Sequence, residues 1–324
     1  MKTQDSRFKI QNRRFGFGLI ILLLIVLAIA VLLGSERLAF FELNENQRTI
    51  LFDIRLPRVL LGATVGASLA LAGASLQSLL RNPLAEPYLL GVSNGAALGT
   101  MLAFVFFANF DWARPALAIV GAGLATLTVY QMAKSRAGMN VERLVLAGVI
   151  VTTFLSSILV LLTTLLDAAK LRSFTFWLLG DLSQATKNGF YLTLVCAIIG
   201  TFILSSQAKA LNLMMIGERD AFDFGVETNK VRLIVFTTAS ALVGISVAAS
   251  GSVGYVGLIV PHLIRLTIGS DNRFVIPFSA LAGAIFVVAA DTIARTAIAP
   301  RELPVGAITA LIGAPLFIYL LRRN

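Results

Sequence analysis

The chain has 324 residues, 57% hydrophobic and 14% charged, with a mean hydropathy of +0.85. That is far more apolar than an ordinary soluble domain, and no hydrophilic block is long enough to form one. The net charge of +10 does not point to nucleic acid, because the basic residues are scattered between apolar runs, where they orient membrane spans. Cys196 is alone in such a run, which excludes a disulfide framework and a cysteine metal site.

In chain order, ten spans are expected, at about 16–34, 59–80, 88–107, 115–133, 143–165, 188–205, 232–250, 254–269, 274–296 and 304–321. The expected fold class is therefore an all-α membrane protein of about ten transmembrane helices, forming one membrane domain over 1–324. Lys2, Arg7, Lys9, Arg13 and Arg14 precede the first run, as they would in a signal peptide. No small-x-small site follows, since Gly34-Ser35-Glu36-Arg37 comes next, so an uncleaved first helix is expected. With the N-terminus inside, 17 of the 27 lysines and arginines fall on inner segments and 10 on outer ones, which favours both termini in the cytoplasm.

The second span is the most informative. Residues 55–99 open with Arg55-Leu56-Pro57-Arg58, cross a run of small apolar residues, break at Asn82-Pro83-Leu84-Ala85-Glu86-Pro87, and then re-enter an apolar, glycine-dotted segment. Small residues let helix backbones approach closely where lipid gives no hydrophobic drive for packing. A polar break at such an edge is tolerated where it is buried in protein or lines a watery path. Gly91, Gly95 and Gly99 follow at helical spacing and read as a close-packing face.

A shift of 178 residues places Gly66-Ala67-Ser68-Leu69-Ala70-Leu71-Ala72-Gly73 on Gly244-Ile245-Ser246-Val247-Ala248-Ala249-Ser250-Gly251, and Pro83 on Pro261. The two octets lie on spans 2 and 7, which run in opposite directions. Inverted repeats, here about 57–165 and 232–321, are a common transporter construction. The other reading is that both helices need small faces for packing.

No G-x-x-x-x-G-K-[ST] loop occurs, so ATP phosphates are not cradled in the usual way. His262 is the only histidine, which excludes histidine-paired metal motifs. No metal or other cofactor is expected, and active transport would draw on an ion gradient or on another subunit.

The segments RLPR (55–58), NPLAEP (82–87), LGVSNGA (90–96), GLIVPHLIR (257–265) and ELPVGAITALIGAPLFIYLL (302–321) occur in this order. With them the chain resembles, from about residue 16 to 323, the FecCD family, permeases of ABC importers for ferric siderophores, haem and vitamin B12. The resemblance implies ten membrane helices per subunit, working as a homodimer or beside a paralogous permease in the inner membrane. It further implies two ATP-binding subunits, a periplasmic or lipid-anchored solute-binding protein, surrounding lipid, and no nucleic acid.

The resemblance also implies site residues. Arg55, Arg58 and Arg295, placed at the outer mouth, would dock glutamates of the binding protein, for which bidentate arginine is suited. Snorkelling anchors would look the same, as would a pair within one helix between Asp291 and Arg295. Arg301 is a further outer charge without an assigned role. Gly217-Glu218-Arg219-Asp220-Ala221-Phe222-Asp223-Phe224-Gly225 matches the family's G-E-x-x-A-x-x-x-G coupling segment at Gly217, Glu218, Ala221 and Gly225. There a short helix would offer Phe222 and Phe224 to an ATPase cleft and end at Gly225; a solvated connector is the plainer reading. Asn82 and Leu84 would narrow the cytoplasmic exit together with the turn Asn140-Val141-Glu142. Val141 and Glu142 replace the small hydroxyl residues of relatives there, and Glu142 either selects a cationic cargo or caps span 5. Thr152, Thr153, Ser156 and Ser157 would line a pore at the interface of two copies, or simply bond between helices at about 1 kcal/mol or less each. His262, after Pro261, reads as a buried histidine at a helix break rather than a ligand. The rival class is an ion-coupled secondary transporter, for which Asp291 is the only carboxylate within a span. A scaffold without transport would leave the polar break unexplained.

Overall fold

The computed structural model describes residues 2–34, 44–107, 109–110, 112–135 and 138–323, and it is almost wholly helical. The elements run α1 (Lys2–Leu32), α2 (Glu45–Thr49), a wide turn (Ile50–Arg55) continuous with α3 (Leu56–Leu79), a 3₁₀ turn (Pro87–Leu90), α4 (Val92–Phe106) and α5 (Ala113–Ala133). A small hairpin of β1 (Lys134–Ser135) and β2 (Gly138–Met139) leads into α6 (Val141–Thr163) and α7 (Ala168–Leu178). Then come α8 (Lys187–Ser206), α9 (Ala208–Ile216), α10 (Glu218–Asp223), α11 (Thr228–Ser250), α12 (Val256–Ile268), α13 (Asn272–Thr296) and α14 (Val305–Arg323).

Helices thus stand at all ten expected positions. Seven are long and apolar enough to cross a membrane, whereas α4, α12 and α14 are shorter apolar helices. Ser35–Arg37, part of the expectation of an uncleaved first helix, lie outside the described residues. Sequence periodicity did not announce α2, α7, α9 or the hairpin.

α3 is the axis of the molecule. Its most apolar window is 83% buried, against 17% for α1, which faces outward. The cause is its small-residue surface. A methyl added at Gly66 would lie 2.2 Å from the carbonyl oxygen of Gly283 on α13, and one at Gly73 would lie 2.0 Å from that of Gly257 on α12. No side chain larger than hydrogen fits between those backbones. α4 meets α5 in the same way, with Gly95 against Gly121 and Gly99 against the carbonyl of Leu117. Gly91 is not part of that face: with φ of 77° it is the left-handed residue that starts α4.

Two stretches of non-helical backbone flank the packed interior, residues 80–86 after α3, of which 81–84 are exposed, and 251–255 after α11, none of which is exposed; side chains at the end of the first and just after it complete the backbone of the second. Glu86 Oε1 accepts the N–H of Tyr255 at 3.0 Å, the first turn of α12. The Tyr88 hydroxyl donates to the Val253 carbonyl and accepts its N–H, both at 2.9 Å. Pro261, inside α12, has no N–H to give the carbonyl of Gly257 four residues earlier. Gln77 of α3 supplies the missing donor, at 3.2 Å to Gly257 and 3.0 Å to Leu258.

The two halves exchange partners. α3 packs on α13 and α12, and Gly244 of α11 packs on Ala122 of α5 and Val92 of α4. Pro83 and Pro261, matched by the 178-residue shift, stand in different settings: Pro83 in the turn after α3, Pro261 within α12.

Gly66→Ala is expected to cost about 1–3 kcal/mol by overpacking. Gly123→Ala, where nothing lies within 4 Å of the added methyl, should be neutral; thermal melts in detergent compare the two. Gln77→Met keeps the volume but leaves the Gly257 carbonyl without its donor. It should lower the melting point by an amount equivalent to about 1–3 kcal/mol.

Candidate functional site

Two polar constellations occupy opposite ends of α3, about 36 Å apart at 1.5 Å per residue. At the first end, Arg58 forks onto Asp291 of α13, with Nε 3.1 Å from both carboxylate oxygens and Nη2 2.9 Å from Oδ1. Its Nη1 donates to Glu302 at 2.8 Å. Arg295 lies 3.6 Å from Asp291 and donates to the carbonyl of Ala30. Arg55 donates to the carbonyl of Leu32 at 3.2 Å. Two arginines therefore close the C-terminal end of α1, where unpaired carbonyls and the helix dipole favour cations.

The three expected docking arginines are brought together, but below the surface. Arg55, Arg58 and Arg295 are 5%, 7% and 3% exposed. Sequence reading put Arg55 and Arg58 before span 2, at a mouth; the helix instead begins about three turns earlier and carries both inside. The pair within α13 exists, but the main partner of Asp291 is Arg58 on α3. The arginines that do reach the surface here are Arg172 and Arg301. They rim a cavity of about 670 Å³ lined also by Phe176, Asp181, Glu302 and Pro304.

At the opposite end stands α10. Ala221 is fully buried, while Phe222, Phe224 and the neighbouring Ile216 are 73%, 74% and 75% exposed. Gly225, at φ of 78°, turns the chain out of the helix as expected. Gly217 precedes it in an extended conformation. Glu218 pairs with Arg232 of α11 and lies 3.7 Å from Arg81, at the end of α3.

The loop expected at the exit, 80–86, carries Arg81. The side chain of Asn82 accepts the N–H of Leu84 at 2.9 Å, an Asx turn that leaves both residues exposed. At the start of α6 the cap is Asn140, whose Oδ1 accepts the N–H of Arg143 at 2.9 Å. Glu142 is exposed in the first turn, where the dipole favours a carboxylate, but it does not cap the helix. Val141 and Glu142 share a cavity of about 290 Å³ with Glu218 and Arg232; Asn82 and Leu84 do not line it.

The hydroxyls of α6 divide. Ser156 and the carbonyl of Thr152 take the amide of Asn94 on α4, whereas Thr153 and Ser157 are exposed and bond back along their own helix. His262 is half-buried, with its ring edge-on to Phe317 at 6.2 Å. Among the described residues no cluster of His, Cys, Asp or Glu could hold a metal.

Residues 19–323 match the FecCD transport family. The chain belongs to the FecCD transport family. Among its relatives, the hemin transport system permease HmuU of Yersinia pestis is 40% identical, covering 96% of each chain. The cobalamin import system permease BtuC of Halobacterium salinarum is 41% identical over 87% of this chain and 76% of its own. A solved structure of a metal-chelate type ABC transporter in an inward-facing conformation superposes with a TM-score of 0.88 at 34% identity, covering 96% of this chain and 100% of that one. This FecCD protein is accordingly a transport permease of the ABC-importer type, a multi-pass membrane protein whose role is transport.

Sequence reading missed Glu86, Tyr88, Gln77 and Arg232 as structural partners. A signal existed for each: a carboxylate, a phenol and an amide in otherwise small apolar surroundings, and an arginine at the very edge of span 7.

Asp291→Ala would leave Arg58 and Arg295 buried without their shared counter-charge. It is expected to destabilise this FecCD permease by about 3–5 kcal/mol, the scale for breaking a buried pair. Glu302→Gln, at the exposed rim, should cost under about 1 kcal/mol; thermal melts of the two variants check the order.

Proposed function

We infer that this chain is the membrane subunit of a binding-protein-dependent importer that moves a bulky metal chelate or cobalamin into the cytoplasm. In this reading two copies form the pathway. ATP is hydrolysed on separate subunits that grip α10, and a solute-binding protein docks at the opposite face. The carrying observation is α10: a short helix anchored by the buried Ala221 presents Phe222 to solvent, with Ile216 and Phe224 exposed on either side of it, at one end of a membrane bundle. Exposed apolar patches of this kind mark partner sites. The α10 end is assigned to the cytoplasm, and with it both termini.

The cargo class comes from the relatives, which are a hemin permease and a cobalamin permease, and from a neighbour of metal-chelate type. The inverted repeat, 57–165 and 232–321, is supported by the exchanged packing of α3 and α11 and by the left-handed residues Gly91 and Tyr255 that start α4 and α12. The exposed hydroxyls of Thr153 and Ser157 fit a pore wall between copies, with Asn82, Leu84, Val141 and Glu142 at its inner mouth. Arg55, Arg58 and Arg295 set the docking face from beneath, through Glu302, and the exposed Arg172 and Arg301 meet acidic groups of the binding protein. Ion coupling gains no support. Asp291 is held by two arginines and Glu86 caps α12, so neither is available as a proton relay.

Uptake into vesicles containing the permease, its ATPase and its binding protein should require ATP and ignore an imposed proton gradient; uptake that follows the gradient without ATP would refute this reading. The double variant Arg172→Glu, Arg301→Glu should weaken binding-protein docking about tenfold at low salt and less at high salt. Titration of the loaded binding protein against immobilised permease at the two salt concentrations checks it.

A further inference from the structure

We propose that Arg232 is the positioning residue that couples the ATPase-contacting helix to the inner gate, by holding α10 and the turn before α6 in one hand. The guanidinium is 7% exposed. Its Nη1 donates to the carbonyl of Met139 at 3.0 Å, at the end of β2, one residue before the cap of α6. Its Nη2 pairs with Glu218, the first residue of α10. The same carboxylate faces Arg81, one residue before Asn82 of the exit loop. One carboxylate and one guanidinium therefore connect the coupling helix, the exit loop, α11 and the turn at 139–142.

Three further observations give this link mechanical content. The hairpin is held to α11 at a second point, since a methyl at Gly138, whose φ is 109°, would lie 2.2 Å from the side chain of Asn229. A cavity of about 290 Å³ separates Glu218 and Arg232 from Val141 and Glu142, so the turn has room to move. The Nε of Arg232 is buried without a hydrogen-bond partner. The other two nitrogens serve acceptors on different elements, the Met139 carbonyl and the Glu218 carboxylate. Arginine is required because its planar fork reaches a carboxylate and a carbonyl at once; lysine, a point charge, cannot hold that geometry. When the ATPase displaces α10, Glu218 pulls Arg232, and Arg232 carries the Met139 carbonyl and the start of α6 with it.

The proposal rests on the importer reading above, and the test separates the two. Permease, ATPase and binding protein are reconstituted, and uptake and ATP hydrolysis are measured on the same vesicles. A Cys196→Ser, Arg143→Cys background carries a thiol-reactive fluorophore on the exposed first turn of α6, to report gate movement. Arg232→Gln is expected to keep ATP hydrolysis, lose about tenfold in uptake per ATP hydrolysed, and abolish the ATP-dependent change at position 143. Arg232→Lys retains the buried charge and the Glu218 pair but not the Met139 bond. It should assemble even where the glutamine variant does not, with an intermediate loss of about threefold. Wild-type uptake per ATP and an unchanged fluorescence response in Arg232→Lys, and in Arg232→Gln where it assembles, would overturn the role of Arg232 and leave the importer reading standing. Absence of ATP-dependent uptake in the unsubstituted complex would overturn both.

Discussion

Backbone that is neither helical nor solvated must find its partners inside the protein, and the rest of this structure follows from how that requirement is met. Within an apolar bundle each unpaired N–H or C=O costs several kcal/mol, yet the stretch 251–255, none of it exposed, is unwound. It is tolerable because side chains from the other half complete it: Glu86 accepts the N–H of Tyr255, the residue before α12, and Tyr88 takes both backbone groups of Val253. Gln77 repairs the carbonyl left open by Pro261. The shortness of α4 and α12, and the close approach of α3 to the opposite half, are consequences of this crossing.

The small-residue surface of α3 serves the same end. Glycine at 66 lets α13 approach, and glycine at 73 lets α12 come near enough for Gln77 to reach its carbonyls. α3 thereby becomes a buried strut with a charged knot at each end. At one end Arg58, Arg295 and Asp291 bind α1, α3 and α13 together. At the other, Arg81, Glu218 and Arg232 bind α3, α10 and α11. A rigid rod between two charged nodes suits a molecule that must relate events on one face to a change on the other.

The two knots differ in burial, and this bears on their roles. The Asp291 node is sealed, with both partner guanidiniums and the carboxylate under 10% exposed. It is a fixed joint, costly to break. The Glu218 carboxylate is about half exposed, so its pairings can be remade in water at modest cost. The half-exposed node is therefore the cheaper of the two to deform.

The amino-acid sequence by itself determined the membrane class, the positions of ten helices, the small-residue face of α3 and the short helix that exits at Gly225. Hydropathy, small-residue spacing and turn chemistry are local properties, and they survive whatever the chain packs against. It also carried the family resemblance, through blocks that keep their order along the chain. Only the tertiary structure decided that Arg55, Arg58 and Arg295 are buried, that Gly91 starts a helix instead of packing one, and that Asn140 rather than Glu142 caps α6. It alone decided that Glu86, Tyr88, Gln77 and Arg232 hold distant elements. A charged or polar side chain is read from sequence without its partner, and Arg232, Gln77 and Arg58 reach partners 93, 180 and 233 residues away. Burial and pairing belong to the contact, and the contact exists only once the two halves have crossed.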